Sequence, residues 1–175
     1  MTNSNSLNVV VVCGNPKANS RTLGVAEEVA RHAAAVAGRS ENVSTHIIDL
    51  ANFGGQLFDW SSEAVKAEVA ALSGADLAVI ASPTYKASYT GLLKSFLDWF
   101  GQTSLAGVVA VPVMVGGSAI HALAPEVFLR PLLVEIGAMV PTRGLFVLDA
   151  ELDQLSTTVA SWADGASHAL SRLLG

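Results

Sequence analysis

The sequence has few charged side chains and a single cysteine, and both shortages limit what the protein can be. Of its 175 residues, 14% are charged and 51% are hydrophobic, yet no hydrophobic run is long enough to span a bilayer. Cys13, the single cysteine, excludes an internal disulfide and a metal site built from cysteines. The formal net charge of -5 argues against general nucleic-acid binding.

The amino-terminal stretch MTNSNSLN is polar, and it lacks the basic patch and apolar core of a signal peptide. We therefore expect a cytoplasmic protein. The length fits one domain over residues 1–175, large enough to bury a single core. The high hydrophobic content predicts strands that are buried on both faces, or a subunit interface.

Five apolar runs alternate with five helical patterns. We predict strands at 7–12, 43–49, 76–82, 108–115 and 144–149, and helices at 21–37, 61–74, 91–100, 122–138 and 151–175. Strands that are separated by helices build a parallel sheet, and right-handed crossovers place helices on both faces. The sequence thus predicts an α/β fold with a doubly wound, five-stranded parallel sheet in the order 2-1-3-4-5. Pro131 predicts a kink or wider turn around 127–131.

The winding of such a sheet reverses between strands 1 and 3. Ligands of doubly wound sheets bind there, outside the carboxyl ends of the strands. The loops at 14–22, 83–90 and 116–121 are therefore predicted to converge on one site.

The first of these loops reads GNPKANSRT and admits several interpretations. A dinucleotide site needs Gly-x-Gly-x-x-Gly, of which only Gly14 is present. A tyrosine-phosphatase loop needs an arginine six positions after Cys13, where Asn19 stands, and Cys13 is more typical of a small buried hydrophobic residue. A plain helix cap is a further alternative. The interpretation that fits best is the single phosphate of flavin mononucleotide (FMN), held at a helix N-terminus.

The second loop follows strand 3 and reads SPTYKASYTG over 82–91. Pro83 fixes the backbone, so that the N–H groups of Thr84 and Tyr85 are predicted to face a planar ligand. Tyr85 offers an aromatic face for stacking. Lys86 follows as a further candidate, with a solvated surface lysine as its alternative.

The third loop follows strand 4 and begins with two glycines. Gly116 and Gly117 carry no side chains, so we expect a ring to lie close to the backbone there. Ser118 is predicted to donate a hydrogen bond to the ligand. His121 fits a helix start or an interface better than a ligand contact.

These segments resemble the NADPH-dependent FMN reductase family of flavodoxin-like proteins. The likeness rests on GNPK…SRT at 14–22, on SPTYKASYTG followed by LK at 82–94, and on the glycine pair. It extends from residue 8 to about 150, and it is greatest for the flavin-supplying partners of two-component monooxygenases, including those of alkanesulfonate desulfonation. The family often has serine at position 15 and arginine at position 17. Asn15 keeps the hydrogen-bonding capacity there, and Lys17 keeps the charge.

The resemblance implies that the protein binds FMN and reduces it with NADPH or NADH, the hydride passing from nicotinamide to flavin N5. The cofactors carry this chemistry, so no catalytic side chain and no metal is expected. Reduced FMN would serve a monooxygenase partner. The alternatives are an enzyme that retains FMN and reduces quinones or azo compounds, and a flavodoxin-type electron carrier. The predicted cofactor-binding residues are Asn15, Lys17, Asn19, Ser20, Arg21, Thr22, Pro83, Thr84, Tyr85, Lys86, Gly116, Gly117 and Ser118.

The segment GLLKSFLDWF at 91–100 has six large apolar residues among ten. That is more than one face of an intramolecular helix needs. Family members commonly complete the open side of the flavin site with another subunit. We therefore expect a homodimer, or a homotetramer made of two dimers, that associates through 91–100.

Overall fold

The computed structural model describes residues 6–175, so most of the polar amino-terminal segment lies outside the described residues. One parallel sheet has the order β2-β1-β3-β4-β5, as the sequence predicts. Its strands are β1 Leu7–Cys13, β2 Val43–Asp49, β3 Leu77–Pro83, β4 Val109–Gly116 and β5 Leu145–Leu148. The helices are α1 Arg21–Val36, α2 Glu63–Ser73, α3 Gly91–Leu97, α4 Arg130–Glu135 and α5 Leu155–Leu174.

The central strands are buried on both faces of the sheet. Alternate valines of β1 point to opposite sides, as the twofold repeat of a strand requires. Val9 and Val11 pack with the apolar side chains of α1 and α5. Val10 and Val12 pack with those of α2, α3 and α4. This double burial accounts for most of the hydrophobic excess, because every residue of β3 and β4 is buried.

Hydroxyl side chains begin three of the helices. Ser20 caps α1, Ser62 caps α2 and Thr90 caps α3, each by accepting a hydrogen bond from the backbone N–H three residues later. Two of these caps, Ser20 and Thr90, stand at the carboxyl-end edge of the sheet, where β1 and β3 lead into the loops of the predicted site.

The predicted helix at 91–100 is shorter in the structure. It ends at Leu97, and Trp99 and Phe100 donate to carbonyls only three residues back, which tightens the last turn. Most of its large apolar side chains, Phe96 among them, are buried inside the protomer. The apolar excess from which a subunit interface was expected therefore packs largely within one chain.

The predicted helix at 122–138 is divided. A π-helical turn covers Pro125–Leu129, and α4 follows from Arg130. Pro131 comes just after the π-helical turn, and this wider turn accommodates a residue that has no N–H to donate. The irregular backbone expected around 127–131 is confirmed by this π-helical turn. A regular α-helix there would have clashed with the proline ring.

Within residues 6–175, no helix combines the length and the apolar character needed to cross a membrane.

Candidate functional site

A pocket of about 350 Å³ opens where β1, β3, β4 and β5 end. It brings together every predicted residue of the first loop, with Pro83 and Tyr85 from the second, although these loops are more than 60 positions apart in the sequence. Thr84, Lys86 and the third-loop residues lie outside this lining. The residues that line the pocket are Asn15, Lys17, Asn19, Ser20, Arg21, Thr22, Pro83, Tyr85, Val115 and Asp149.

The first loop is shaped by hydrogen bonds among its own side chains. The Asn15 amide donates to Thr22 Oγ1 over 3.0 Å, and the Asn15 carbonyl oxygen accepts from the Lys17 backbone N–H over 2.9 Å. Ser20 Oγ accepts from the Leu23 N–H over 3.3 Å. Asn15 therefore holds the loop closed through both ends of its side chain.

This loop and the start of α1 have the chemistry of an anion site. Thr22 accepts from Asn15, and Ser20 accepts from Leu23 and can also accept from the Cys13 thiol, so both hydroxyls can donate their protons to an anion. The N–H groups of the first helical turn point out of the helix end, and the positive end of the helix dipole lies there. Lys17 and Arg21 add two positive charges to the lining.

A carboxylate beneath the loop fixes its turn. Asn19 has a left-handed backbone with φ 51°, and its N–H donates to Asp49 Oδ2 over 2.9 Å. The other oxygen, Asp49 Oδ1, accepts from the Ala51 N–H over 3.3 Å. Asp49 is thus a buried carboxylate at the end of β2. Because the Asn19 N–H is bound to Asp49, Asn19 can reach an anion only with its side chain.

The first and second loops are tied together by the cap of α3. The Thr90 hydroxyl donates to the Gly14 carbonyl over 2.6 Å and accepts from the Leu93 N–H over 3.1 Å. A Cβ added to Gly14 would lie 2.6 Å from Leu93 Cβ, so only glycine fits beside α3. The Thr90 N–H in turn donates to Ser82 Oγ at the end of β3 over 3.0 Å.

The prediction for the backbone of the second loop was wrong. The Thr84 N–H donates to the Val115 carbonyl over 2.7 Å, and the Tyr85 N–H donates to the Ser88 carbonyl over 2.8 Å. Neither N–H group faces a ligand, because the first extends the β3–β4 pairing and the second closes a two-residue turn. The donors that remain for a ligand lie at the tip of this turn.

That turn is a tight reverse turn with an uncommon backbone. Tyr85 and Ser88 exchange two backbone hydrogen bonds, and between them Lys86 and Ala87 have φ values of 52° and 69°. Left-handed values at both central positions define a type I′ turn, which usually contains asparagine, aspartate or glycine there. Here a lysine and an alanine occupy the two positions.

The side chains of the second loop divide between the pocket and the interior. Tyr85 lines the pocket and is 53% exposed, so its ring can cover a planar ligand. Lys86 is exposed outside the lining. The Thr84 hydroxyl is buried and has no hydrogen-bond partner among the residues that the structure describes. Thr84 therefore does not line the pocket.

The two glycines of the third loop have different roles. A Cβ added to Gly116 would lie 2.9 Å from Phe146 Cζ and 3.1 Å from Thr84 Oγ1. Packing against Phe146 thus requires this glycine, whereas the sequence interpretation had assigned it to ring access. Gly117 is exposed and would meet no atom within 4 Å, so its open side can admit a ligand. Ser118 is half-buried and lies outside the pocket lining.

Cys13 is buried at the end of β1, and its Sγ lies 3.6 Å from Ser20 Oγ. Burial raises the pKa of the Cys13 thiol, so the thiolate that a phosphatase needs is disfavoured. The interpretation of Cys13 as a small buried hydrophobic residue is confirmed.

Two residues that line the pocket, Val115 and Asp149, were not predicted from the sequence. Val115 is a buried strand residue with no distinguishing signal. Asp149 follows β5 directly, and its Oδ1 lies 3.2 Å from Arg21 Nη2. The rule that ligands bind at the carboxyl ends of strands could have identified Asp149, had it been applied to β5 as well.

Over residues 6–175, no group of three or more histidine, cysteine, aspartate or glutamate side chains could hold a metal ion. The pocket instead combines an anion cradle with an exposed aromatic ring, and the exposed Gly117 lies on the neighbouring loop after β4. This combination suits a ligand that carries one phosphate and a flat ring system.

A model of the NADPH-dependent FMN reductase family matches residues 7–153. Among curated proteins, the NADH-dependent FMN reductase SfnF of Pseudomonas putida is 34% identical over 157 residues, which span 87% of this chain and 83% of the relative. The FMN reductase (NADPH) of Escherichia coli K12 is 29% identical over 149 residues, which span 83% of this chain and 75% of the relative.

Solved structures give a consistent picture. The apo form of an NADH:FMN oxidoreductase (EMOB) superposes with a TM-score of 0.82 at 32% identity, and the match covers 97% of this chain and 91% of that one. An archaeal flavodoxin shares the fold, with a TM-score of 0.56 at 16% identity over 90% of this chain and 97% of that one.

Proposed function

Because the chain belongs to the NADPH-dependent FMN reductase family, we propose that the pocket described above is where its FMN binds. The chain is an NAD(P)H-dependent flavin oxidoreductase with a flavodoxin-like fold. When bound, FMN supplies a ring that accepts a hydride from a reduced nicotinamide. The protein's own contribution is binding, orientation and electrostatics.

The phosphate of FMN fits the β1–α1 loop. The hydroxyls of Ser20 and Thr22 would donate to it, together with the N–H groups at the start of α1. Lys17 and Arg21 would offset its negative charge. Asn15 and Asn19 complete this part of the proposed site, the first by holding the loop closed and the second through its side chain.

The ring of FMN fits beside the second and third loops. Pro83 and the exposed face of Tyr85 would form one wall, and Gly117 would leave room on the other side. We propose that the N–H groups of Lys86 and Ala87, at the tip of the turn, donate to the edge of the ring. These donors would favour a ring that has gained negative charge on reduction.

No side chain is required to move a proton in this scheme. The pocket lining has no histidine, and its only cysteine neighbour, Cys13, is buried behind Ser20. The hydride transfer of this proposal takes place between the two nucleotides, and the residues of the lining serve to bind and orient them.

One observation carries the proposal: a single pocket joins a phosphate cradle from one loop to an exposed aromatic ring from another. The test is a titration of the ligand-depleted protein with FMN and with riboflavin, followed by NADH or NADPH oxidation at increasing FMN. We expect FMN to bind more tightly than riboflavin, and turnover to rise with added FMN. Equal affinity for both flavins would place the phosphate elsewhere.

A homodimer is part of the proposal, with 91–100 at its interface. Leu93, Phe96, Leu97 and Phe100 are buried in the protomer, so the exposed apolar surface must come from neighbouring side chains. Phe58 and Trp60 are 73% and 61% exposed, and the Trp60 ring centroid lies 4.7 Å from that of Trp99. We define the aromatic patch as Phe58, Trp60 and Trp99, and we propose that it extends the interface.

Further associations also belong to the proposal. A second exposed apolar surface at Ile120, Leu123, Val127 and Phe128 would allow two dimers to form a tetramer. Reduced FMN would leave the pocket to serve a monooxygenase, as the resemblance implies. We propose a single flavodoxin-like domain over 1–175 that works in the cytoplasm, where reduced nicotinamide nucleotides are produced.

A further inference from the structure

Arg21 and Asp149 form an ion pair within the lining of the pocket. Arg21 Nη2 lies 3.2 Å from Asp149 Oδ1, and the two side chains are 71% and 39% exposed. Arg21 opens α1, whereas Asp149 follows β5, so the pair joins two separate strand ends. The carboxylate therefore contacts a cation that a bound phosphate would also use.

We propose that Asp149 competes with the flavin phosphate for Arg21 and thereby keeps FMN exchangeable. This inference rests on the function proposed above and identifies a residue that sets flavin affinity. With Lys17 and Arg21 alone, the lining would carry two positive charges, and Asp149 reduces this to a net charge of one. An incoming phosphate must first displace the Asp149 carboxylate from Arg21. The phosphate then remains near that carboxylate, which repels it, and both effects weaken FMN binding.

The geometry favours competition over a positioning role. A carboxylate that positions an arginine stands outside the space of the ligand, but Asp149 itself lines the pocket. The closest atoms are Nη2 and Oδ1 at 3.2 Å, and within residues 6–175 no two-pronged hydrogen bond joins these two side chains of the kind that fixes an arginine. Arg21 is also mostly exposed, so it can turn from the carboxylate to a phosphate at little cost.

By contrast, Asp49 holds the loop without competing for a cation. Both of its oxygens accept backbone N–H groups, from Asn19 and Ala51, and the residue is buried. Asp49 therefore supports the cradle from beneath, whereas Asp149 acts at the ligand side.

The test is the Asp149→Asn variant, which keeps the side-chain shape and removes the charge. We expect its dissociation constant for FMN to fall about fivefold, equivalent to about 1 kcal/mol, and its FMN release to slow correspondingly. Riboflavin has no phosphate, so its dissociation constant should change by less than about twofold. The KM for FMN should fall by a larger factor than kcat changes, since the effect is on binding.

Two controls separate this mechanism from a general change in charge. Glu151→Gln removes one exposed negative charge two positions away, outside the pocket lining, and should leave FMN affinity unchanged. In an Arg21→Gln background, Asp149→Asn should tighten FMN binding much less than in the wild type, because the shared cation is gone.

Three results would overturn the inference. FMN binding in Asp149→Asn could be unchanged or weaker, the affinity for riboflavin could rise as much as that for FMN, or the full rise in FMN affinity could persist in the Arg21→Gln background. Weaker binding would mean that Asp149 positions Arg21 for the phosphate. A wild-type protein that binds no FMN would contradict the proposed function itself, which separates the two failures.

Discussion

Thr90 joins two loops of the pocket, because its hydroxyl donates to the carbonyl of Gly14, a residue 76 positions earlier in the chain. The same oxygen caps α3 by accepting from Leu93. One buried side chain thus fixes both the start of a helix and the spacing between the phosphate loop and the ring loop.

Replacing Thr90 with valine should destabilise the protein while preserving side-chain volume. The variant loses a helix cap and leaves the Gly14 carbonyl without its donor, so we expect the free energy of unfolding to fall by about 2 kcal/mol. Chemical denaturation measures the change. Thr90→Ser, which retains the hydroxyl, is the matched control and should lose less than half as much; equal losses in both variants would contradict the role of the oxygen.

The glycine pair after β4 allows a matched comparison. Gly116→Ala should lower the free energy of unfolding by about 1–3 kcal/mol, because its new methyl group would press against Phe146. Gly117→Ala should change stability by less than about 0.5 kcal/mol, since nothing lies near the added group. If the proposed ring position is correct, Gly117→Ala should instead weaken FMN binding in a fluorescence titration. Unchanged flavin affinity would move the ring away from the third loop.

The phosphate cradle is tested by Ser20→Ala combined with Thr22→Ala. We expect FMN binding to weaken by at least about 1 kcal/mol, because two hydroxyl donors to a charged acceptor are lost. Riboflavin affinity should stay close to that of the wild type. Since Ser20 also caps α1, Ser62→Ala serves as the control: it removes the equivalent cap of α2, away from the pocket, and should leave FMN affinity intact.

Stability in acid should depend on Glu126. This carboxylate accepts from Arg130 and from the Gly144 N–H, and its hydrogen bonds with Arg130 are the main reason that its pKa is lowered. A lowered pKa contributes stability that is fully present above the ordinary glutamate value of about 4.3 and is lost as the pH falls through the folded-state value.

Glu126→Gln should therefore lower the free energy of unfolding by about 1–3 kcal/mol at neutral pH. The difference in unfolding free energy from the wild type should shrink as the pH falls below about 4. Urea denaturation between pH 3 and pH 7 measures this convergence. Glu63→Gln is the control, because Glu63 is 84% exposed and its pair with Lys66 is worth little. A constant difference at every pH would mean that the charge of Glu126 contributes nothing.

The aromatic patch is tested by Trp60→Ser. If this surface lies in a dimer interface, we expect the dimer dissociation constant to rise at least tenfold, because a large exposed indole is a typical anchor of an interface. Light scattering across a dilution series measures the change. Leu173→Ser, a comparable change on α5, should have no effect. A wild-type protein that is monomeric at micromolar concentration would rule out the interface.

The sheet was predictable because its central strands are continuous apolar runs, which are typical of strands buried on both faces of a parallel sheet. Valines 9–12 must be covered on both faces, and only helices on both sides achieve this. The first loop was predictable for a different reason: its polar residues follow a strand and precede a helix, so the strand end and the helix N-terminus bring them together. Pro131 similarly predicted its own irregular surroundings, because a helix interior does not accommodate it.

The errors arise where the position of an N–H group or a Cβ depends on a neighbour distant in sequence. The bonding of Thr84 to Val115 follows from the register of β3 and β4, which the sequence does not specify. Gly116 is a glycine because of Phe146, thirty positions later. The position of Asp149 depends on where β5 ends relative to α1. Pattern and periodicity do not contain this information.

The turn at Lys86 and Ala87 has a consequence for the affinity of the site for a flavin. Two non-glycine residues in left-handed conformations together store about 2 kcal/mol or more of strain, and the protein meets this cost when it folds. The two backbone hydrogen bonds between Tyr85 and Ser88 hold this shape without a ligand, so the wall beside Tyr85 is preorganised. An arriving flavin meets a finished surface, with no loop left to order, and the conformational entropy of that segment does not count against its affinity.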